Sequence, residues 1–181
     1  MSYPQNTANP CNKKILTMTQ TEDKTINLNA HNKEEFRPAH TAEHIINRTM
    51  DNTFHCGRAV EAHIERKKSK LDFSLPQEPD DALVANVEQV VNEVIDRHLP
   101  VTFSFISQAD AASEFDLKRL PDGASETVRV VSIGDYDRCL CIGQHVANTA
   151  EIGHVRFISH DYDAERKILR IRFKIVDTPL A

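Results

Sequence analysis

Tryptophan is absent, and glycine occurs only five times in 181 residues. With 40% hydrophobic, 27% charged and just 6% aromatic residues, the composition is that of an ordinary soluble domain, and fibrous and low-complexity classes are excluded. No apolar run approaches the roughly 20 residues needed to cross a bilayer. The first residues are polar rather than basic-then-apolar, so neither a membrane span nor a secretory leader is expected and the reading is cytoplasmic. An excess of positive charge is also lacking: 22 Lys and Arg against 27 Asp and Glu leave a net charge of −5. Sequence-independent nucleic-acid binding needs a concentrated basic surface, so any RNA contact must be local. Nor is there a disulfide framework. Of Cys11, Cys56, Cys139 and Cys141, the last two stand too close to pair easily, which leaves metal binding or burial as the better reading.

The length suits one domain with a core of its own. Residues 1–35 are rich in Asn, Thr, Gln and Lys and lack a sustained apolar period, apart from a short alternation at 25–28. They read as a flexible tail that lends at most one edge strand. The domain is expected over 36–181. Pro38 suits a first helical turn, and Ala42, Ile45 and Ile46 form an inward stripe, predicting a helix that ends near Asn52. Residues 60–75 alternate on either side of Arg66-Lys67-Lys68, which suggests two strands joined by a basic turn. Leu83, Val84, Val87, Val90, Val91, Val94 and Ile95 then recur at helical spacing behind Asp80 and Asp81, so a second helix should pack on a sheet. A strand over 101–106, a short helix over 107–115 started by Ser107 and Asp110, a turn at Pro121-Asp122-Gly123 and a strand over 127–133 follow. Residues 134–151 have no clean period and read as a loop, or as a loop that opens a short helix. Strands over 155–159 and 167–176, joined by a turn at Asp161-Tyr162-Asp163, close the chain. Helices interleaved with antiparallel hairpins make this an α+β domain, an antiparallel sheet packed with helices.

Chemistry gathers in two places. His40 and His44 lie one helical turn apart and project from one face, so their imidazoles can converge on a single ion. Cys141 and His145 repeat the spacing about a hundred residues later, with Gly143 between them to let the backbone fold closely. Either pair alone is more often an ordinary feature of a core edge or a loop. Together they supply a tetrahedral set of imidazole and thiolate donors that favours zinc over magnesium or calcium, with nickel and iron left open. His55, His63, His98, His154 and His160 have no partner at ligand spacing and read as surface, strand or helix-end residues. Arg66, Lys67 and Lys68 are the candidates for RNA phosphate contacts, although such a run is more often a solvated turn; the same holds for Arg170, Arg172 and Lys174.

Five segments occur in a telling order: His40-Thr41-Ala42-Glu43-His44-Ile45; Leu71-Asp72-Phe73-Ser74; a long helix rich in Val and Asn; Val128-Arg129-Val130-Val131-Ser132-Ile133-Gly134; and Cys141-Ile142-Gly143-Gln144-His145-Val146 followed by Asn148-Thr149-Ala150-Glu151-Ile152-Gly153. Over residues 39–158 this set resembles the editing domain shared by alanyl- and threonyl-tRNA synthetases, and most closely the freestanding alanyl-type proteins that edit in trans. The resemblance implies one zinc ion per chain and hydrolysis of the ester joining a wrongly attached amino acid to the acceptor end of a tRNA, with serine on alanine tRNA the usual target. It implies metal-assisted catalysis, since a bound cation can polarise an ester carbonyl or activate a water. Where the family commonly has Glu or Asp two residues before the ligand Cys, this sequence has Cys139, which becomes the candidate for facing the substrate. Where the family often has Gln-Lys-Gly-Ser, residues 59–62 read Ala-Val-Glu-Ala. A metal-dependent hydrolase of another aminoacyl ester or amide, and a non-catalytic zinc module that binds RNA or protein, are the alternatives.

Overall fold

The first helix, α1 (Arg37–Phe54), starts without a side-chain cap but with Pro38 in its first turn, and ends where His55 turns left-handed at φ 53°. Its apolar stripe, Ala39, Ala42, Ile45, Ile46 and Met50, is buried. These residues belong to a computed structural model that describes residues 36–117 and 126–176. The expected tail over 1–35, its strand at 25–28 and the turn at Pro121-Asp122-Gly123 lie outside the described residues.

After α1 the chain forms β1 (Glu61–His63) and β2 (Ser69–Ser74), antiparallel partners joined through the basic turn. Helix α2 (Asp81–Ile95) is capped by Asp80, whose carboxylate accepts from Ala82 N at 2.7 Å, while Asp81 complements the N-terminal dipole. Then come β3 (Val101–Ser107), the short α3 (Gln108–Ala111), β4 (Thr127–Ile133), β5 (Asp137–Leu140), a 3-10 turn (Thr149–Glu151), β6 (His154–Asp163) and β7 (Ile168–Val176). Two antiparallel sheets result, one ordered β1-β2-β7-β6 and the other β3-β4-β5. The fold is α+β, as expected.

The core forms where the inward faces of both helices meet the larger sheet. Ile45, Ile46 and Met50 of α1 and Val87, Val91 and Val94 of α2 pack with Leu71 and Phe73 of β2 and Leu169, Ile171 and Phe173 of β7. Burial of each such side chain stabilises by roughly 1.5–3 kcal/mol. Asn92 fastens α2 to β6 by a reciprocal pair, its amide donating to Val155 O at 2.9 Å and accepting from Val155 N at 2.8 Å. Ile133 carries this core into the smaller sheet.

Three sequence expectations need correction. Residues 134–151 are not all loop, because β5 pairs with β4 from Val130↔Leu140 to Ile133↔Asp137. Its inward positions are Asp137 and Cys139, so the alternation exists but is polar and escapes an apolar pattern. Asp161-Tyr162-Asp163 is not a turn: it continues β6 opposite Arg170, Leu169 and Ile168, because the half-buried Tyr162 spends its hydroxyl on Leu75 O at 3.0 Å. The reversal follows at 164–167, where Lys167 takes φ 55°. The helix expected over 107–115 stops at Ala111, although Ser107 caps it by accepting from Asp110 N.

Candidate metal centre

Helix α1 projects His40 and His44 from adjacent turns, with ring centroids 5.3 Å apart. The segment after β5 brings the His145 ring to 4.2 Å from His40 and 4.5 Å from His44. Cys141 Sγ lies 3.5 Å from His40 Nε2 and 3.4 Å from His145 Nε2. One donor atom from each of the four side chains falls within 4.8 Å of all the others. Zn–S and Zn–N bonds of about 2.3 and 2.05 Å at a tetrahedral angle would put sulfur and nitrogen about 3.6 Å apart, close to the separations found.

The outer nitrogens also fit a metal. His40 Nδ1 is 3.2 Å from Gln144 O, and His145 Nδ1 is 3.2 Å from Thr41 Oγ1. Thr41 donates its own proton to Arg37 O and accepts from Val146 N, so its oxygen suits an Nδ1–H of His145. His44 Nδ1 faces Cys139 Sγ at 3.3 Å and Asp137 Oδ2 at 3.5 Å. With each Nδ1 engaged away from the cluster, three Nε2 atoms are left to converge, the arrangement that orients imidazole ligands in metal sites.

Electrostatics prepare the sulfur. Burial alone would raise the Cys141 pKa, but hydrogen bonds from His145, His40 and His44 bring it down to about 3, so the group is a thiolate at neutral pH. Burial and the neighbouring His44 and His40 hold His145 below its ordinary range, against the opposing pull of Cys141. Burial would likewise lower His44, yet contacts with Asp137, Cys139 and Cys141 and the charge of Glu43 raise it well above. Asp137 is fully buried, and although burial opposes its ionisation, His44 and Arg58 take its pKa down to about 2. Arg48 Nε donates to it at 3.1 Å and Arg58 forms a second ion pair.

The backbone between Cys141 and His145 is held from both sides. Arg129 Nη1 donates to Ile142 O and Gly143 O, both at 2.9 Å, and Arg129 O accepts from Cys141 N. From α1, Arg37 Nε donates to Gln144 Oε1 at 2.9 Å. The return of the chain is fixed by Val101 N donating to Ala147 O.

A cleft of about 310 Å³ opens at the cluster; its lining includes His40, Glu43, His44, Cys139 and Cys141 and the apolar Val60, Ala62 and Ile64. Cys139 therefore lines the cleft while touching His44, and it stands outside the four-donor cluster. A larger cleft of about 530 Å³ beside Arg48, Arg97 and Tyr136 contains none of the four donors. Arg66, Lys67 and Lys68 are exposed in the β1–β2 turn, at the end of the hairpin that walls the first cleft, and the Arg66 guanidinium lies 4.4 Å from the centre of the Phe36 ring. Outside the site, His154 pairs with Asp96 and His160 with Asp81, both at 2.9 Å. Arg170 is not merely solvated, since it forms a two-pronged pair with buried Asp72. Sequence reasoning passed over Asp137, Arg58, Arg129 and Glu43. Only Glu43 had a visible signal, its place one residue before His44.

Residues 128–171 match the family model described as the threonyl and alanyl tRNA synthetase second additional domain. The chain is 29% identical over 136 residues to the alanine-tRNA ligase of Methanococcus vannielii, covering 72% of this chain and 15% of that protein. It is 32% identical over 134 residues to the enzyme of Exiguobacterium sibiricum (73% and 15%), and 34% identical over 123 residues to that of Salinispora tropica (67% and 14%). This chain thus spans about 15% of the length of the curated relatives it matches. The chain is similar to the second additional, or editing, domain of alanyl-tRNA synthetase.

Proposed function

We infer that this chain is a zinc-dependent hydrolase that removes a wrongly attached amino acid from tRNA, with serine on alanine tRNA the first substrate to try. The observation that carries this reading is the convergence of His40, His44, Cys141 and His145, within 4.8 Å, beside an open cleft. Similarity to a domain of tRNA synthetases supports the substrate class. The four side chains would hold the ion, which when bound supplies Lewis-acid polarisation of the ester carbonyl. Cys141 would contribute the sulfur donor, its thiolate form favoured by the surrounding histidines. Asp137 and Cys139 hold His44 in orientation through Nδ1, and Arg129 and Arg37 fix the loop that presents His145. Val60, Ala62 and Ile64 supply apolar lining to the cleft in which the ester would lie. Arg66, Lys67 and Lys68, exposed in the β1–β2 turn, are the residues assigned in this reading to phosphates of the acceptor end.

Four protein donors also describe a closed structural site, and this favours a second reading as a zinc module without catalysis. One experiment separates the two. Protein purified without added metal is expected to carry one zinc per chain, lost in His44→Ala and Cys141→Ala. Zinc-loaded protein should hydrolyse seryl-tRNA for alanine at least 100-fold faster than the spontaneous reaction, and His40→Ala or chelation should abolish this. Zinc retained without hydrolysis of any mischarged tRNA would leave the module reading standing.

A further inference from the structure

Glu43 stands between the two histidines of α1, its Oε2 3.9 Å from His40 Nε2 and 3.7 Å from His44 Nε2, with its side chain 14% exposed. Among the described residues lining the cleft it is the one carboxylate. The other buried acid nearby, Asp137, is matched by Arg48 and Arg58 and faces the back of His44. Arg58, the one Lys or Arg lining the cleft, is committed to that pair. Glu43 is held in place through Oε1, which accepts from Asn47, and Asn47 is itself fixed by accepting from Ala59 N at 2.7 Å. One carboxylate oxygen is thus anchored and the other is aimed at the imidazole nitrogens bordering the cleft. A divalent ion on three neutral imidazoles and one thiolate keeps a net positive charge, which would repel a cationic substrate unless a carboxylate sits beside it.

We propose that Glu43 receives the α-ammonium group of the aminoacyl ester and selects substrates that carry it. This rests on the reading of the chain as an aminoacyl-tRNA hydrolase. An aminoacyl ester places its ammonium one carbon from the carbonyl, so an ester held at the metal centre brings that charge into the reach of a carboxylate bordering the same nitrogens. A charge-assisted hydrogen bond there favours the amine over a neutral replacement by about 10- to 100-fold.

The test uses zinc-loaded wild type, Glu43→Gln and Glu43→Asp, with seryl-tRNA and its deaminated counterpart, in which a hydroxyl replaces the ammonium. The intrinsic reactivity difference between the two esters cancels when the ratio of their kcat/KM values is compared across variants. In Glu43→Gln the amide oxygen can still accept from Asn47, so folding and zinc content, checked by melting temperature and elemental analysis, should be kept. The ratio is expected to fall about 10-fold or more in Glu43→Gln, through loss on the amine substrate, and to recover in part in Glu43→Asp. Binding of stable amide-linked seryl-adenosine, against its hydroxyl analogue, should lose the same preference. An unchanged ratio in Glu43→Gln with zinc retained overturns the role of Glu43 and leaves the hydrolase reading intact. No hydrolysis of either ester by zinc-loaded wild type overturns both.

Discussion

Asp72 and Arg170 face each other across β2 and β7, the carboxylate 2% exposed and the guanidinium 28%. Two hydrogen bonds of 2.8 and 2.6 Å join them. Such a pair matters less for its own energy than for what its loss leaves behind, because an unmatched charge at a buried position is costly. The Arg170 hydrogen bonds hold Asp72 below the usual carboxylate range, against the opposing effect of burial. A depressed folded-state pKa stabilises the protein above the unfolded value of about 3.9, and that contribution is lost as pH falls through the lower folded value. Asp72→Asn should therefore cost about 1.5–3 kcal/mol at pH 7, and the gap to wild type should narrow as pH falls below the unfolded value of about 3.9 and through the lower folded one. Urea unfolding of both proteins at pH 7 and pH 3 checks this; a gap that stays constant would mean that Asp72 contributes packing and not charge.

At the scale of elements, the larger sheet depends on how closely the start of β6 meets the end of β7. Gly153, immediately before β6, has φ +79°, and a Cβ there would meet Val176 O at 2.7 Å. Both the backbone conformation and the close approach of β7 require glycine. Gly153→Ala is expected to destabilise by about 1–3 kcal/mol, lowering the melting temperature by roughly 3–10 °C. Calorimetry that finds less than a degree of change would show that the strand end relaxes freely. The smaller sheet works differently. There β5 holds its place by pairing with β4 and by burying Asp137 and Cys139 against α1, so a polar inward face anchors the strand that delivers Cys141.

On the scale of the whole molecule, the cluster ties α1 to a segment a hundred residues away, and a bound ion would stabilise that tie by binding only the folded chain. The basic turn stands apart from this core. Arg66 packs over Phe36, whereas Lys67 and Lys68 are exposed. Lys67→Gln with Lys68→Gln should weaken tRNA binding and flatten the slope of log affinity against log salt by roughly 1–2, at unchanged melting temperature. Adding Arg66→Gln should also lower that temperature. A salt slope equal to wild type in the double variant would place the phosphate contacts elsewhere.

The sequence by itself determined the two main helices, most strands, the α+β class and the two four-residue donor spacings, because periodicity, caps and spacing are local properties. His40 and His44 share a face through helical geometry alone. That Cys141 and His145 arrive at the same face was decided by tertiary structure, through pairing of β5 with β4 and through the grip of Arg129 and Arg37 on the intervening backbone. Strand β5 was invisible because its buried positions are an acid and a thiol, made tolerable by Arg48, Arg58 and His44 from elsewhere in the chain. The reversal after β6 shifted because Tyr162 finds a partner only when Leu75 is beside it. The contact of Glu43 with Asn47 is a local pair one helical turn apart, but the bond from Ala59 N that fixes Asn47 is one that no helical spacing encodes. Local chemistry named the donors, and long-range packing decided which of them meet.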